Sequence, residues 1–313
     1  MKKKLIITGG LGFIGSKLIE KIRNKFEIIV IDNSYLNKNK VRGVKILKCD
    51  LTNFNKLKRI KLQNVETIIH LAGQSSGPRS FDIPEIDLKL NLISTINIVN
   101  FAKKIKARRI IFSSTFTVYG DSKKEKLSEI QKCDPKSFYA TSKYASERYL
   151  MRLCEKYKIK WNILRFFNVY GPGQDLSRTD QGIVSIFLDL IRNNNKINVN
   201  GSLKRFRDLV FIDDVVESLV LLIKNRKHPN QIYNVGTGKK TTVKKLIKSI
   251  GIIYKKEKKL KISISNPTPG DILGCYADIK KISNHLKFKP KINLQKGLKL
   301  FSEWAEKNFY YNK

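Results

Sequence analysis

The chain has 313 residues, enough for one large domain or two ordinary ones with a substantial buried core. Its 41% hydrophobic and 28% charged residues exclude a disordered chain, and no stretch approaches the roughly 20 apolar residues of a membrane span. A formal net charge of +37 taken alone points to nucleic acid or an anionic membrane, but the lysines are spread over loops and helix faces rather than gathered in one patch. The charge therefore reads as compositional drift toward Lys, Asn and Ile, and no specific nucleic-acid partner and no membrane is expected.

The start, Met1-Lys2-Lys3-Lys4 before Leu5-Ile6-Ile7, has the outline of a secretory leader. Gly9, Gly10, Gly12 and Gly15 interrupt the apolar run, no small-residue cleavage site is present after it, and Lys17, Glu20, Lys21 and Arg23 form a polar helix face, so that reading is rejected. Leu5–Thr8 reads as a buried strand, Ile14–Asn24 as a helix, and Glu27–Ile31 as a second strand ending at Asp32. Further strands are expected at Val44–Leu47, Thr67–Leu71, Arg109–Ser113 and Lys160–Arg165. Long helices are expected at Ile86–Lys104 and Ser137–Tyr157. Strands alternating with helices imply an α/β fold, a doubly wound parallel sheet of the Rossmann type.

After Gly171-Pro172-Gly173 the rhythm weakens. Helices at Ile183–Arg192, Asp213–Lys224 and Thr242–Ile253 alternate with short strands at Lys196–Val199, Leu209–Phe211 and Ile232–Val235. Residues 1–170 are thus expected to form the dinucleotide-binding domain, with returns near 207–238, and the rest of 171–313 a smaller substrate-binding domain. Cys49, Cys133, Cys154 and Cys275 lack CxxC spacing, and His70, His228 and His285 lie far apart, so neither a metal site nor a disulfide framework is expected. A reducing cytoplasm fits this cysteine usage.

Gly10-Leu11-Gly12-Phe13-Ile14-Gly15 satisfies G-x-G-x-x-G, directly after an apolar strand and opening a helix. Glycines there allow a tight turn and close approach of backbone to a pyrophosphate, and the helix N-terminus offers free N–H groups and partial positive charge. Asp32 lies about 20 residues on, where a carboxylate accepts from both ribose hydroxyls and repels a 2′-phosphate. NAD is therefore expected in preference to NADP. Asp50, just after the third strand, either reaches the adenine amino group or caps the turn before Thr52.

Tyr139-Ala140-Thr141-Ser142-Lys143 sets a tyrosine and a lysine one helical turn apart on one face. A free phenol, with a pKa of about 10, is a poor base at neutral pH; a nearby ammonium and a positive nicotinamide ring both favour the phenolate. A tyrosinate can then take a hydroxyl proton while hydride leaves the same carbon. Upstream, Ser113-Ser114-Thr115 ends a strand whose carboxyl end faces the binding crevice, placing Thr115 or Ser114 to share that proton.

With these motifs assembled, the chain resembles the extended short-chain dehydrogenase/reductase family, in particular its NAD-dependent nucleotide-sugar epimerases and dehydratases. The resemblance runs from Thr8–Gly15 through His70-Leu71-Ala72-Gly73, Asn91 with Ser94-Thr95, Ser113–Gly120 and Tyr139–Lys143. It continues through Arg165–Pro172, Arg207-Asp208, Asp213-Asp214-Val215, Tyr233–Gly236, Pro269-Gly270-Asp271 and Tyr276-Ala277-Asp278. It implies Thr115, Tyr139 and Lys143 as the catalytic residues. It also implies a cofactor set of Gly9, Gly12, Phe13, Ile14, Gly15, Asp32, Asn33, Asp50, Leu51, Leu71, Ala72, Gly73, Ser113, Tyr139, Lys143 and Phe166. For the substrate it implies Ser114, Thr115, Asn168, Arg207, Asp271 and Cys275, and it makes the two long helices a homodimer interface.

Reaction type turns on the residues just after Thr115. The family's dehydratases carry Thr-Asp-Glu there, whereas this chain has Thr115-Phe116-Thr117 with no carboxylate. The stretch Ser113–Gly120 is similar instead to that of UDP-hexose 4-epimerases. The resemblance thus implies a UDP-sugar substrate and epimerisation through a transient 4-keto sugar. Cys275 implies room for an N-acetyl group, or else packs against the core. A nucleotide-sugar reductase, an epimerase acting at another carbon and a non-catalytic NAD-binding protein are the alternatives. One departure stands out: Thr268 occupies a position where the family often has an arginine that contacts the diphosphate.

Overall fold

Seven parallel strands form the centre of the computed structural model, which describes residues 2–34, 41–267 and 272–309. Across the sheet they run Lys45–Lys48, Glu27–Asp32, Lys4–Thr8, Val65–His70, Arg109–Thr115, Lys160–Phe166 and Gln231–Val235. Every neighbouring pair is parallel. The order of the first six is that of a doubly wound dinucleotide-binding sheet, with its reversal between Lys4–Thr8 and Val65–His70. The seventh strand returns to this sheet from the second half of the chain.

The strands are apolar on both faces because both are covered. Leu5 and Ile7 pack toward helices Phe13–Ile22 and Ile212–Lys224. Ile6, pointing the opposite way, packs toward Ser94–Lys104 and Phe138–Tyr157. All three side chains are 0% exposed, each contributing about 1.5–3 kcal/mol by burial.

The long helix expected at 86–104 is interrupted. Pro84–Leu88 and Ser94–Lys104 are α-helical, but Lys89–Ile93 between them is a π-turn. Side-chain hydroxyls compete for the backbone there: Ser94 Oγ donates to the Leu90 carbonyl at 2.5 Å and Thr95 Oγ1 to the Asn91 carbonyl at 2.6 Å. The wide turn carries Asn91 inward, 1% exposed, where its amide donates to Asp87 and Ser142, each at 3.1 Å.

Two elements near the end of the chain complete the second half. Lys261–Ser265 pairs in parallel with Lys196–Asn200. Helix Leu294–Phe309 buries Leu298, Phe301 and Ala305 against the core shared with the main sheet. Among the described residues no helix is long and apolar enough to cross a membrane.

Candidate active site

A cleft of about 1270 Å³ opens at the carboxyl ends of the strands, over the point where the strand order reverses. One end is built by the glycine turn. Gly9 has φ +66°, and a Cβ there would lie 2.7 Å from the Ala72 nitrogen. A Cβ on Gly15 would lie 2.4 Å from the Gly9 carbonyl oxygen, so these two positions exclude any side chain. Helix Phe13–Ile22 begins at Gly12 with no side-chain cap, leaving its N-terminal donors for an anion. Asp32 accepts from the Leu11 and Ser34 backbone nitrogens, each at 3.1 Å, and still lines the cleft. Asp50 accepts from both the nitrogen and hydroxyl of Thr52 at 2.9 Å while also lining the cleft, so its turn-capping role is evident in the geometry. Phe13, Ile14, Asn33, Leu51, Leu71, Ala72, Gly73, Ser113 and Phe166 line the same cavity.

Beneath this end lies His70, wholly buried between Thr8 and Thr95, with Nδ1 2.7 Å from Thr8 Oγ1 and Nε2 3.1 Å from Thr95 Oγ1. Burial, aided by the charge of Lys143, pushes its pKa down to about 3, so the imidazole is neutral.

At the other end Ser137 caps helix Phe138–Tyr157, its Oγ accepting from the Ala140 nitrogen at 3.1 Å. This sets Tyr139 in the first turn, facing Thr115, whose side chain hydrogen-bonds the phenol. Lys143, 5% exposed, lies one turn on with Nζ 4.1 Å from the Phe112 ring centroid. The helical spacing predicts that Lys143 lowers the Tyr139 pKa. Instead burial raises it to about 12, against the opposing hydrogen bond from Thr115. Burial also brings the pKa of Lys143 down to about 7, against the fields of Glu147 and Asp87.

Of the two hydroxyls offered by the sequence, the geometry favours Thr115. Ser114 Oγ is committed to Glu147 Oε1 at 2.5 Å. Glu147 in turn holds Arg165 through two bonds of 3.0 and 2.7 Å, with both side chains at most 3% exposed. Burial opposes the Arg165 charge, but the hydrogen bonds and field of Glu147 prevail and push its pKa up. The Arg165 guanidinium also stacks 4.7 Å from the Tyr119 ring centroid. Phe116, directly after Thr115, stacks on Phe167 with centroids 5.2 Å apart.

Asn168 and Arg207 both reach the cleft. Asn168 Oδ1 is buried without a hydrogen-bond partner among the described residues. Cys275 corrects the sequence reading: it is 2% exposed and packs among Phe116, Val118, Tyr119 and Phe167 rather than lining the cavity. Its small side chain fills a gap in the core, so the N-acetyl argument does not rest on it. Asp271 and Thr268 lie outside the described residues.

The sequence matches the NAD dependent epimerase/dehydratase family over residues 5–236. The chain belongs to that family. A putative UDP-glucose 4-epimerase of Methanocaldococcus jannaschii is 33% identical over 310 residues, covering 97% of this chain and 99% of the relative. The crystal structure of a UDP-glucose 4-epimerase with UDP-glucose from Thermotoga maritima is 33% identical with a TM-score of 0.90, covering 97% of this chain and 99% of that one. A human dTDP-D-glucose 4,6-dehydratase is 28% identical over 327 residues, covering 98% of this chain and 91% of the relative.

Within this member of the epimerase/dehydratase family, sequence reasoning missed several cleft residues. Gln174 lines the cavity with a buried, unpartnered Oε1 among the described residues. Trp304 and Asn308 reach the cavity from helix Leu294–Phe309. Gln174 directly succeeds the Gly171-Pro172-Gly173 turn, which in the sequence marks only a boundary. The helix carries a usable signal in Leu298, Phe301 and Ala305, which fall on one face at helical spacing.

Proposed function

We propose that this chain is an NAD-dependent 4-epimerase of a UDP-hexose or UDP-N-acetylhexosamine. The observation that carries this reading is the wall beside Tyr139, where Thr115 is succeeded by Phe116 stacked on Phe167 and by Thr117, whose Oγ1 lies 3.0 Å from Thr115 Oγ1. Elimination of water needs an acid and a base at the sugar; this turn offers an aromatic ring and a hydroxyl.

The glycine turn, the uncapped helix start and Asp32 fit NAD: the turn leaves room for the pyrophosphate, and Asp32 takes the ribose hydroxyls. NAD, held there, would supply a reversible hydride acceptor for the sugar. Tyr139, as the phenolate, takes the proton of the 4-hydroxyl and later returns it to the same sugar oxygen, with Thr115 hydrogen-bonded beside it. Lys143 supplies the positive charge that favours the phenolate, together with that of the oxidised nicotinamide. Phe116 and Phe167 exclude water from the reacting carbon. Asn168 and Arg207 hold the nucleotide end of the substrate. Because no net oxidation occurs, no external redox partner is required.

Incubation with UDP-glucose or UDP-N-acetylglucosamine, without added NADH, is expected to yield the 4-epimer, identified by chromatography against standards. A 4-keto-6-deoxy product assigns a dehydratase instead, and stoichiometric NADH consumption a reductase. Tyr139→Phe is expected to lower turnover by about 10²–10⁴-fold with unchanged NAD content; undiminished turnover removes Tyr139 from the mechanism. A homodimer through the Pro84–Lys104 region and helix Phe138–Tyr157 is part of this proposal. It is supported by Ile86, Leu88, Phe138 and Tyr149, which are 46–51% exposed there, and sedimentation velocity tests it.

A further inference from the structure

Asp87 is wholly buried in helix Pro84–Leu88, directly before the π-turn. Uncharged donors meet both of its oxygens. Oδ1 accepts from Gln74 Nε2 at 2.7 Å and from Asn91 Nδ2 at 3.1 Å, and Oδ2 accepts from Ser142 Oγ at 2.5 Å. These donors come from three places. Asn91 is carried inward by the π-turn. Gln74 lines the cleft in the loop after strand Val65–His70 and also donates to the Ser76 carbonyl at 2.8 Å. Ser142 lies between Tyr139 and Lys143 on helix Phe138–Tyr157, its Oγ 3.0 Å from the Tyr139 carbonyl. One carboxylate thereby joins the cofactor end of the cleft to the helical turn that carries Tyr139 and Lys143.

A buried carboxylate is unfavourable unless its charge is answered. Burial pushes the Asp87 pKa up, against the bonds from Ser142, Asn91 and Gln74 and the field of Lys143. Lys143 is faced on its own helix by Tyr139 and Glu147, and the Glu147 carboxylate is already matched by Arg165 and Ser114. Strand Val65–His70 brings the neutral imidazole of His70 toward Lys143, and strand Arg109–Thr115 brings the Phe112 ring. Helix Pro84–Leu88 brings Asp87.

We propose that Asp87, held by Gln74, Asn91 and Ser142, is a positioning residue of the proton-handling pair and acts through Lys143 as its counter-charge. This rests on the proposed roles of Tyr139 and Lys143 and deepens them. Burial lowers the Lys143 pKa, and Glu147 and then Asp87 oppose it. Burial raises the Tyr139 pKa against the Thr115 bond, and Asp87 adds to the rise. Removing the Asp87 charge therefore lowers both, so both limbs of a bell-shaped pH profile move the same way whichever group each limb reports.

Asp87→Asn tests this because an amide suits the same donors. Its oxygen can accept from Gln74 and Asn91, its nitrogen can donate to Ser142, and the Ser142 hydroxyl can turn to the Tyr139 carbonyl. In the NAD-loaded variant the pH profile of kcat is expected to move about one unit toward acid, with KM unchanged. A merely structural role lowers the height of the profile without moving it. The coupling is reciprocal, so Lys143→Met is expected to raise the midpoint at which Asp87 protonates by about one unit, read by carboxyl 13C NMR. That measurement decides the matter if Asp87→Asn does not fold. Unmoved limbs in folded Asp87→Asn, or an unmoved Asp87 midpoint in Lys143→Met, overturn this proposal alone. A wild type that turns over no nucleotide sugar overturns the functional reading, and the role of Asp87 with it.

Discussion

Replacing His70 by Gln tests the buried polar chain beneath the crevice. Thr95 Oγ1 donates to the Asn91 carbonyl, so it accepts from His70 Nε2–H, and Thr8 Oγ1 donates to Nδ1. Both ring nitrogens are thus satisfied in the neutral form. The folded pKa is about 3 against an ordinary 6.5. Between these values the unfolded chain binds a proton that the folded chain refuses, so stability is fully present above pH 6.5 and is lost as pH falls toward 3. The slope approaches about 1.4 kcal/mol per pH unit below pH 6.5, which integrates to about 2.3 kcal/mol between pH 6.5 and 4.5. Carboxylates also titrate in this range, so the quantity to measure is the difference between proteins. Urea unfolding followed by fluorescence at both pH values is expected to show that wild type loses about 2 kcal/mol more than His70→Gln over this interval. The variant starts lower at pH 6.5, because its amide cannot reproduce both hydrogen bonds. Equal losses in the two proteins refute the neutral buried imidazole.

Glu147→Ala leaves the Arg165 charge buried alone and is expected to cost about 3–5 kcal/mol in thermal unfolding. The double variant Glu147→Leu/Arg165→Met is expected to recover most of that loss, since it removes both charges together. Asp32→Ala is expected to weaken NAD by about 10–100-fold and to narrow the preference over NADP, measured by fluorescence titration with each cofactor.

The cofactor half was legible in the sequence because it obeys local rules. An apolar strand, a glycine turn and a helix in uninterrupted succession fix where the Leu5–Thr8 run must end, and Asp32 lies at a set distance beyond. Tyr139 and Lys143 were legible because helical spacing alone puts them on one face. The π-turn at Lys89–Ile93 was not, since it depends on where Asn91 finds partners across the fold, in Asp87 and Ser142. The choice between Ser114 and Thr115 was equally hidden: adjacent strand residues point to opposite sides, and only the position of Glu147 shows which hydroxyl is already taken. The strand Lys261–Ser265 does alternate, with Ile262 and Ile264 between polar residues, but it is exposed throughout and only its pairing with Lys196–Asn200 marks it as part of the fold. Cys275 misled because a small residue can make room in a pocket or fill a gap in a core, and the sequence is the same in both cases.

The Glu147–Arg165 pair has a consequence for how such a protein can change. Through Ser114 it ties the end of strand Arg109–Thr115 to helix Phe138–Tyr157, two turns beyond Tyr139. Thr115 and Tyr139, the groups proposed to handle the proton, are therefore mounted on elements locked together from below. Phe116 and Thr117 belong to a short 3-10 turn outside that lock. Thr117 reaches Thr115 Oγ1 and Phe116 packs into the core beside it, so under the proposed mechanism substitutions on that turn act on the sugar side of the site without touching the Glu147–Arg165 pair.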